Sequence, residues 1–466
     1  MKYLQYKNIS LLLFISLIIT GCLSNTGSQL ANPSDDASIL QAYIKSTTYS
    51  PNASLAVFTI DNVNDSIYNV DSLPYGTKVD SLFVGFQFAS SLGFIMNDTV
   101  SESNFYNTAE TSKAVDFTKR VKVKNLATDE KSTKEYEMEL RVHKVETYLH
   151  VWSELNANVT AQATDNQKAV QLNDKFFYYF GHAASNSLYT STDAKTWKAE
   201  TALIGLPLNA KLRDMVVFNN AIYLLHNGLD IYKTTDGINW AHHTMVADPA
   251  YNYTSLLFAF KNKIWAVAKE KTSNNVRIAN SADGVNWAFT GNKIFNDNFP
   301  VTDFASTTFR PKLGREKVVV IGGFSPSGKR LNTLWSAENV TITDTLNWLN
   351  LQNAKSNIVA VSDAAVEYYG SKLMLFSGAT NTLAVDTTQL RQSMNEGMNW
   401  ILPDSATNIL PDNFKHRTHA SVIKDSKDNS LYVIGGKSST APMADVWKIK
   451  VNFYSFKDYL ENPYKY

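Results

Sequence analysis

Along most of this chain apolar and polar residues alternate, and the alternation predicts strands. Val121-Lys-Val123 and Tyr136-Glu-Met138-Glu-Leu140-Arg-Val142 put an apolar side chain at every second position, the period of a strand with one face in a core and the other in water. The polar run from Asp129 to Lys134 supplies the turn between them. Upstream, Leu55-Ala-Val-Phe-Thr-Ile60, Ser66-Ile-Tyr68 and Leu73-Pro-Tyr-Gly-Thr77 predict further short strands punctuated by Pro and Gly. A second series of apolar runs follows at 176–181, 221–225, 263–267, 318–323, 372–378 and 431–436, each expected to form a paired-strand unit. A chain of 466 residues exceeds the roughly 100–200 residues typical of one domain. We therefore expect two folding units, over 37–145 and 146–466.

The larger unit is built on a repeat. Thr190-Ser-Thr-Asp193-Ala-Lys-Thr-Trp197, Thr234-Thr-Asp236-Gly-Ile-Asn-Trp240, Ser281-Ala-Asp283-Gly-Val-Asn-Trp287 and Ser393-Met-Asn395-Glu-Gly397-Met-Asn-Trp400 resemble Asp boxes, with a degenerate copy at Asp344-Thr-Leu-Asn-Trp348. In such a turn the Ser/Thr and Asp side chains bond turn amides, Gly accepts positive φ, and Trp packs on a neighbouring sheet. The tryptophans are separated by 43, 47, 61 and 52 residues, the spacing of propeller blades. A sixth run, Val433-Ile-Gly-Gly436 followed by Asp445-Val-Trp447-Lys-Ile-Lys450, resembles a kelch repeat but has no outer strand after it. Tyr148-Leu-His-Val-Trp152-Ser-Glu-Leu155 has the pattern of that missing strand, and Trp152 lies 45 residues before Trp197. The expected fold class is all-β: an immunoglobulin-like β-sandwich followed by a six-bladed β-propeller closed by an N-terminal strand, which leaves no long exposed edge.

The N-terminus adds an address. Lys2 and Lys7 precede an apolar run at 9–19 that is too short to span a bilayer, and Ile19-Thr20-Gly21-Cys22 resembles the bacterial lipobox. Residues 1–21 are read as a lipoprotein signal peptide, and 22–36 as a lipidated tether rich in small and polar residues. Cys22 is the only cysteine, so no disulfide and no thiolate metal cluster can form within the chain. Loss of the signal leaves 42 basic against 43 acidic residues, a balance that offers no bulk field for nucleic acid. The expected partner is a membrane, reached through the lipid on Cys22, and the expected location is the cell envelope, on the outer membrane, facing either the periplasm or the surface.

"YGTKVDSL" and "VDFTKRVKVKNLATDEKSTKEYEMEL" resemble the small domain that follows the lipid anchor in many envelope lipoproteins of anaerobic Gram-negative bacteria. Together with the lipobox and the mixed kelch and Asp-box repeats, they resemble a two-domain envelope lipoprotein family of unknown function. The resemblance implies location and architecture and carries no activity.

Asp boxes also decorate sialidases, and Phe309-Arg310-Pro311 is similar to an arginine motif of those enzymes, but it lacks the intervening aliphatic residue and falls in the fourth blade. A sialidase needs three arginines converging on one carboxylate, a Tyr/Glu nucleophile pair and an acid Asp. Adjacent His242 and His243 point to opposite faces of a strand and cannot readily share a metal ion. No cofactor is required by any motif. The remaining candidate is the propeller mouth, where the starts of the innermost strands bring Arg213, Asp214, Asp303, Asp363, Arg417 and His419 together. Polar residues at such positions also tie blades and cap turns. The function expected is a non-enzymatic envelope binding or scaffold protein whose propeller takes a glycan or protein ligand. A sialidase-like glycoside hydrolase and a subunit of an envelope assembly are the alternatives.

The lipobox gives a direct test. Cys22→Ser should abolish incorporation of a palmitate analogue during growth, and a serine variant that still carries the label would refute the anchor.

Overall fold

The computed structural model describes residues 33–97, 104–146, 149–311, 314–339, 346–352, 358–385, 390–404, 407–425 and 427–452. Cys22 and Asp344 lie outside these residues. The described chain divides into two compact units, 33–146 and 149–452. Both are all-β: apart from the single-turn 3₁₀ helices Pro51–Leu55 and Leu212–Asp214, every regular element among the described residues is a strand.

The smaller unit has a six-stranded sheet ordered Phe58–Asp61, Ser66–Asn69, Thr133–Glu139, Val121–Leu126, Gly93–Asn97, Asn104–Tyr106, and a separate pair, Ile39–Ile44 with Val84–Phe88. The alternation read from the sequence at 121–142 sets the core: Val121, Val123, Tyr136 and Met138 pack with Ile39, Phe86 and Phe94 from both layers. Asn125, fully buried, donates from Nδ2 to the carbonyls of Ala37 and Ser90, while its Oδ1 has no partner among the described residues. Two predicted strands are corrected. Leu55 ends the 3₁₀ turn begun by Pro51, and the strand starts only at Phe58. Leu73 makes a single parallel bridge to Val142, and the chain then turns as Thr77 donates from N–H and Oγ1 to the carbonyl of Pro74.

In the larger unit, antiparallel sheets follow one another along the chain. The first runs through Gln167–Leu172, Lys175–Gly181, Asn186–Ser191 and Lys198–Glu200, and the second through Val216–Phe218, Ala221–His226, Asp230–Thr234 and Ala241–Thr244. The third has Tyr251–Phe260, Lys263–Glu270, Val276–Ser281 and Ala288–Phe289, and the fourth Ala305–Phe309, Lys317–Ile321, Leu334–Asn339 and Leu346–Asn350. The fifth has three strands, Ala365–Tyr369, Lys372–Phe376 and Leu390–Ser393, extended by one bridge between Gln392 and Ile401. In the sixth, Ser421–Asp425, Ser430–Lys437 and Pro442–Val451 are joined by His150–Asn156 from the far end of the unit. There Trp152 stands opposite Ile449 and packs on Phe414 at 4.7 Å. The first strand of each sheet touches the first strand of the next, and Ser421–Asp425 touches Gln167–Leu172.

The tryptophan turns are where sequence chemistry becomes packing. Asp236 accepts the amides of Ile238 and Asn239, and Asp283 those of Val285 and Asn286. Asn395 does the same for Asn399, and Asp193 for Lys195 and Thr196. Each of these turns is thus closed locally, and Trp240, Trp287 and Trp400 join apolar clusters drawn from their own sheet and the preceding one: Trp240 with Tyr179 and Leu224, Trp287 with Tyr223 and Tyr253, Trp400 with Val319 and Leu373. Gly237 has φ +76°, and a Cβ there would stand 2.2 Å from the Phe177 ring of the first sheet. Glycine is needed at that point for both conformation and room.

An internal deletion of 149–156 is expected to expose the Pro442–Val451 edge, lower the melting temperature by several degrees and promote self-association. Melting and light scattering check it; a monomer of unchanged stability would contradict it.

Candidate functional site

The first strands of the sheets surround a cavity of about 300 Å³, lined among others by Lys168, Arg213, Asp214, Asp303, Thr307, Asp363, Glu367 and His419. Five of the six residues picked from the sequence therefore come together. They do so by an unusual backbone. Asp303, Asp363 and His419 stand just before the first strands of the fourth, fifth and sixth sheets with φ of 58°, 60° and 60°. The amide of Asp363 donates to the carbonyl of Asp303 at 2.8 Å, and that of His419 to the carbonyl of Asp363 at 2.8 Å. This left-handed step is tolerated best by Gly, Asn, Asp and His.

Their side chains are largely occupied by one another. Arg213, on the 3₁₀ turn before the second sheet, reaches Asp303 at 3.2 Å and pairs closely with Asp363. Lys211 adds a contact to Asp303 at 3.0 Å. His419 Nε2 meets Asp363 Oδ1 at 2.8 Å, while Nδ1 contacts the Thr418 hydroxyl. Burial pushes the Asp363 carboxyl up, yet the hydrogen bond from His419 and the charges of His419 and Arg213 outweigh it and hold it well below the ordinary carboxylate range. This network spans from the second sheet to the fourth, fifth and sixth.

Arg417 is not part of it. It is 3% exposed, absent from the cavity wall, and spent on the sixth sheet's own ties: Nε donates to the Lys415 carbonyl at 2.8 Å and Nη1 to Asp445 at 2.6 Å, with the guanidinium over the Phe414 ring. Asp445 also accepts from Trp447 Nε1 at 2.7 Å. Strand alternation would send residues 417 and 419 the same way, but the left-handed His419 breaks it, and the expectation for Arg417 is corrected to a structural tie.

The cavity also holds ionisable groups that are not tied. The side chain of Lys168, in the first sheet's inner strand, makes no hydrogen bond or ion pair among the described residues, and burial lowers its pKa, assisted by Arg213 and opposed by Asp214. The Asp214 carboxyl likewise has no hydrogen-bond partner; burial pushes its pKa up to about 6 against the pull of Lys211, Arg213 and Lys168. Glu367, in the fifth sheet's inner strand, accepts from Thr307 Oγ1 at 3.1 Å and from the Tyr368 amide at 2.9 Å, both on Oε1. Burial raises its pKa nonetheless. Sequence reasoning missed Lys168, Thr307 and Glu367 because it searched strand starts. The available signal was a charge in the middle of an otherwise apolar inner strand, Gln167-Lys-Ala-Val and Ala365-Val-Glu-Tyr.

Other candidates fall elsewhere. Arg310 is exposed and outside the cavity, where Arg213 is the one arginine among the described lining residues. His242 meets Asp230 at 2.7 Å on the surface, and no cluster of His, Cys, Asp or Glu suited to a metal ion occurs among the described residues. Asp193, Asp236, Asp283 and Asn395 are engaged in their turns.

Residues 149–459 match the DUF6242 beta propeller domain and residues 31–140 the DUF6242 N-terminal domain, a domain of unknown function. No curated protein matches the chain. Among solved structures, that of YjhT is similar at 14% identity and a TM-score of 0.44, covering 65% of this chain and 98% of that one.

Melting experiments separate ties from free groups. Arg417→Ala should cost about 3–5 kcal/mol by leaving Asp445 buried without its partner. Asp214 behaves oppositely. Its folded pKa of about 6 lies above the unfolded value of about 3.9, so stability falls as pH rises between them. Asp214→Asn should therefore raise the melting temperature at pH 7 and leave it unchanged near pH 4; a loss of stability at pH 7 would contradict the assignment.

Proposed function

Given that the chain belongs to the DUF6242 family of two-domain proteins with a beta propeller, we propose that it is a binding protein of the cell envelope, anchored through Cys22 and holding a small polar ligand in its propeller cavity. One observation carries the binding reading. Lys168 and Asp214 are half-buried, face a cavity of about 300 Å³, and their side chains have no hydrogen-bond partner there among the described residues. Unpaired buried charge is costly to a fold, and a ligand that supplies the missing partners offsets it.

The six sheets are read as six blades, with His150–Asn156 as the strand that seals the ring. What supports this is the succession of contacts between first strands and the apolar cluster of Phe176, Tyr178, Phe180, Tyr432, Ile434 and Val446 between the first and sixth sheets. The smaller unit is read as an immunoglobulin-like stalk, on the strength of its two layers over one core. The anchor rests on the lipobox sequence alone.

A hydrolase is the second reading, favoured by Asp214: a carboxyl titrating near 6 can serve as a general acid. The single arginine of the described cavity wall argues against the sialidase form. The full chain in detergent, probed on glycan and peptide arrays with a hydrolysis readout, divides the two. Binding without turnover, lost in Lys168→Met, is the expected result. Turnover lost in Asp214→Asn would replace the proposal with the second reading, and an absence of any binding would overturn both.

A further inference from the structure

We infer that the cavity selects a small zwitterion, a molecule bearing one carboxylate and one ammonium group, with the carboxylate held at Lys168 and the ammonium at Glu367. The inference rests on the binding reading above and specifies its ligand.

The argument is a census of charge by sheet. Cations gather on one side of the cavity: Lys168 in the inner strand of the first sheet, Lys211 and Arg213 at the start of the second. Anions gather on the other: Asp303 before the fourth sheet, Asp363 before the fifth and Glu367 in it. Between these sides the protein forms its own pairs, Lys211 with Asp303 at 3.0 Å and Arg213 with Asp303 and Asp363. Asp214 sits among the cations, interacting with Lys211, Arg213 and Lys168 together. Counting Asp214, the first side still carries a net positive charge and the second a net negative one, and the groups short of hydrogen-bond partners are Lys168 and Asp214 on the first side and Glu367 on the second. Lys168 has no partner, and Glu367 uses only Oε1, leaving Oε2 without a donor. Both line the same cavity.

Ligand chemistry follows from that remainder. A neutral sugar could hydrogen-bond to either group but would bring no charge to compensate a separated pair. A phosphate or other dianion would meet one free cation and the excess of carboxylates. A zwitterion supplies an anion and a cation in one molecule, and a volume of about 300 Å³ admits a free amino acid or a dipeptide. The direction of titration agrees. Burial lowers the pKa of Lys168 and raises that of Glu367, outweighing the opposing charges of Asp214 and Lys424, so each charged form is under-solvated in the cavity.

Calorimetric titration of the full chain in detergent tests it, with free amino acids, dipeptides, their N-acetylated and C-amidated counterparts, and neutral mono- and disaccharides as probes. Free zwitterions should bind, and blocking either end should weaken binding at least about tenfold, as loss of one charge-assisted contact implies. Amino acids and dipeptides, compared directly, tell which source of the same chemistry fits. Lys168→Met and Glu367→Gln should each abolish the preference for the unblocked end they serve. Both variants should melt no lower than the parent, which separates lost recognition from lost fold. Blocked ligands that bind as tightly as free ones would overturn the inference. Binding confined to neutral sugars would overturn it while sparing the binding reading, and no binding of any probe would overturn both.

Discussion

A twisted sheet that is apolar on both faces must be covered on both faces, and this requirement governs the larger unit. The inner and second strands of each sheet supply apolar residues to two clusters. In the first sheet Phe177 and Tyr179 join the second, while Phe176, Tyr178 and Phe180 join the sixth. The turn tryptophans act as wedges at these interfaces, each aromatic burying roughly 150–250 Å², or about 4–6 kcal/mol gross. No sheet is then stable alone. Interfaces between successive sheets join segments near in sequence and can form early. The contact of the first sheet with the sixth, and the pairing of His150–Asn156 with Pro442–Val451, join the two ends of the unit. They carry the largest loop-closure cost and must wait for the rest.

At the centre the same requirement cannot be met by apolar cover. The inner strands converge there with no further sheet to face, and the polar groups that point inward either find one another or stay short of partners. Arg213 resolves most of the problem by reaching from the second sheet to carboxylates of the fourth and fifth. Each ion loses hydration worth several kcal/mol in such a place, and only good geometry with several partners recovers it. The residues that recover it are ties. Those that do not, Lys168 and Asp214, are a liability to stability.

How far this was legible in the sequence depended on how local the physics was. The turns ending in Trp197, Trp240, Trp287 and Trp400 close through side chains within five residues of one another, so their chemistry is written in the sequence, and their spacing announced the repeat. The alternation at 121–142 fixed two strands and the core face of the smaller unit. The parallel pairing of Ser66–Asn69 with Thr133–Glu139 was not legible, because nothing local distinguishes a parallel neighbour from an antiparallel one. Leu55 and Leu73 were misassigned where apolar residues sat in turns. At the cavity, strand starts were found because they carry charged residues next to apolar runs. Lys168 and Glu367 were not, since a charge in an inner strand is conspicuous only once the cavity is known.

The left-handed residues explain why the mouth looks like a binding site and is mainly a fastening. An L residue near φ +60° costs of order 1 kcal/mol, and glycine would remove that cost. Asp303, Asp363 and His419 are kept instead, and each contributes twice: its backbone joins the relay from sheet to sheet, and its side chain joins the ionic network across the cavity. On the opposite side a side-chain amide does the backbone's work. Asn166 accepts the Leu212 amide on Oδ1 at 3.0 Å and donates from Nδ2 to the Ala210 carbonyl at 2.8 Å, tying the first sheet to the second. Both devices satisfy polar groups at strand starts and so remove them from contention as ligand contacts. Side chains further along the inner strands, Lys168 and Glu367 among them, face the cavity outside both devices, and it is to these that we assign recognition.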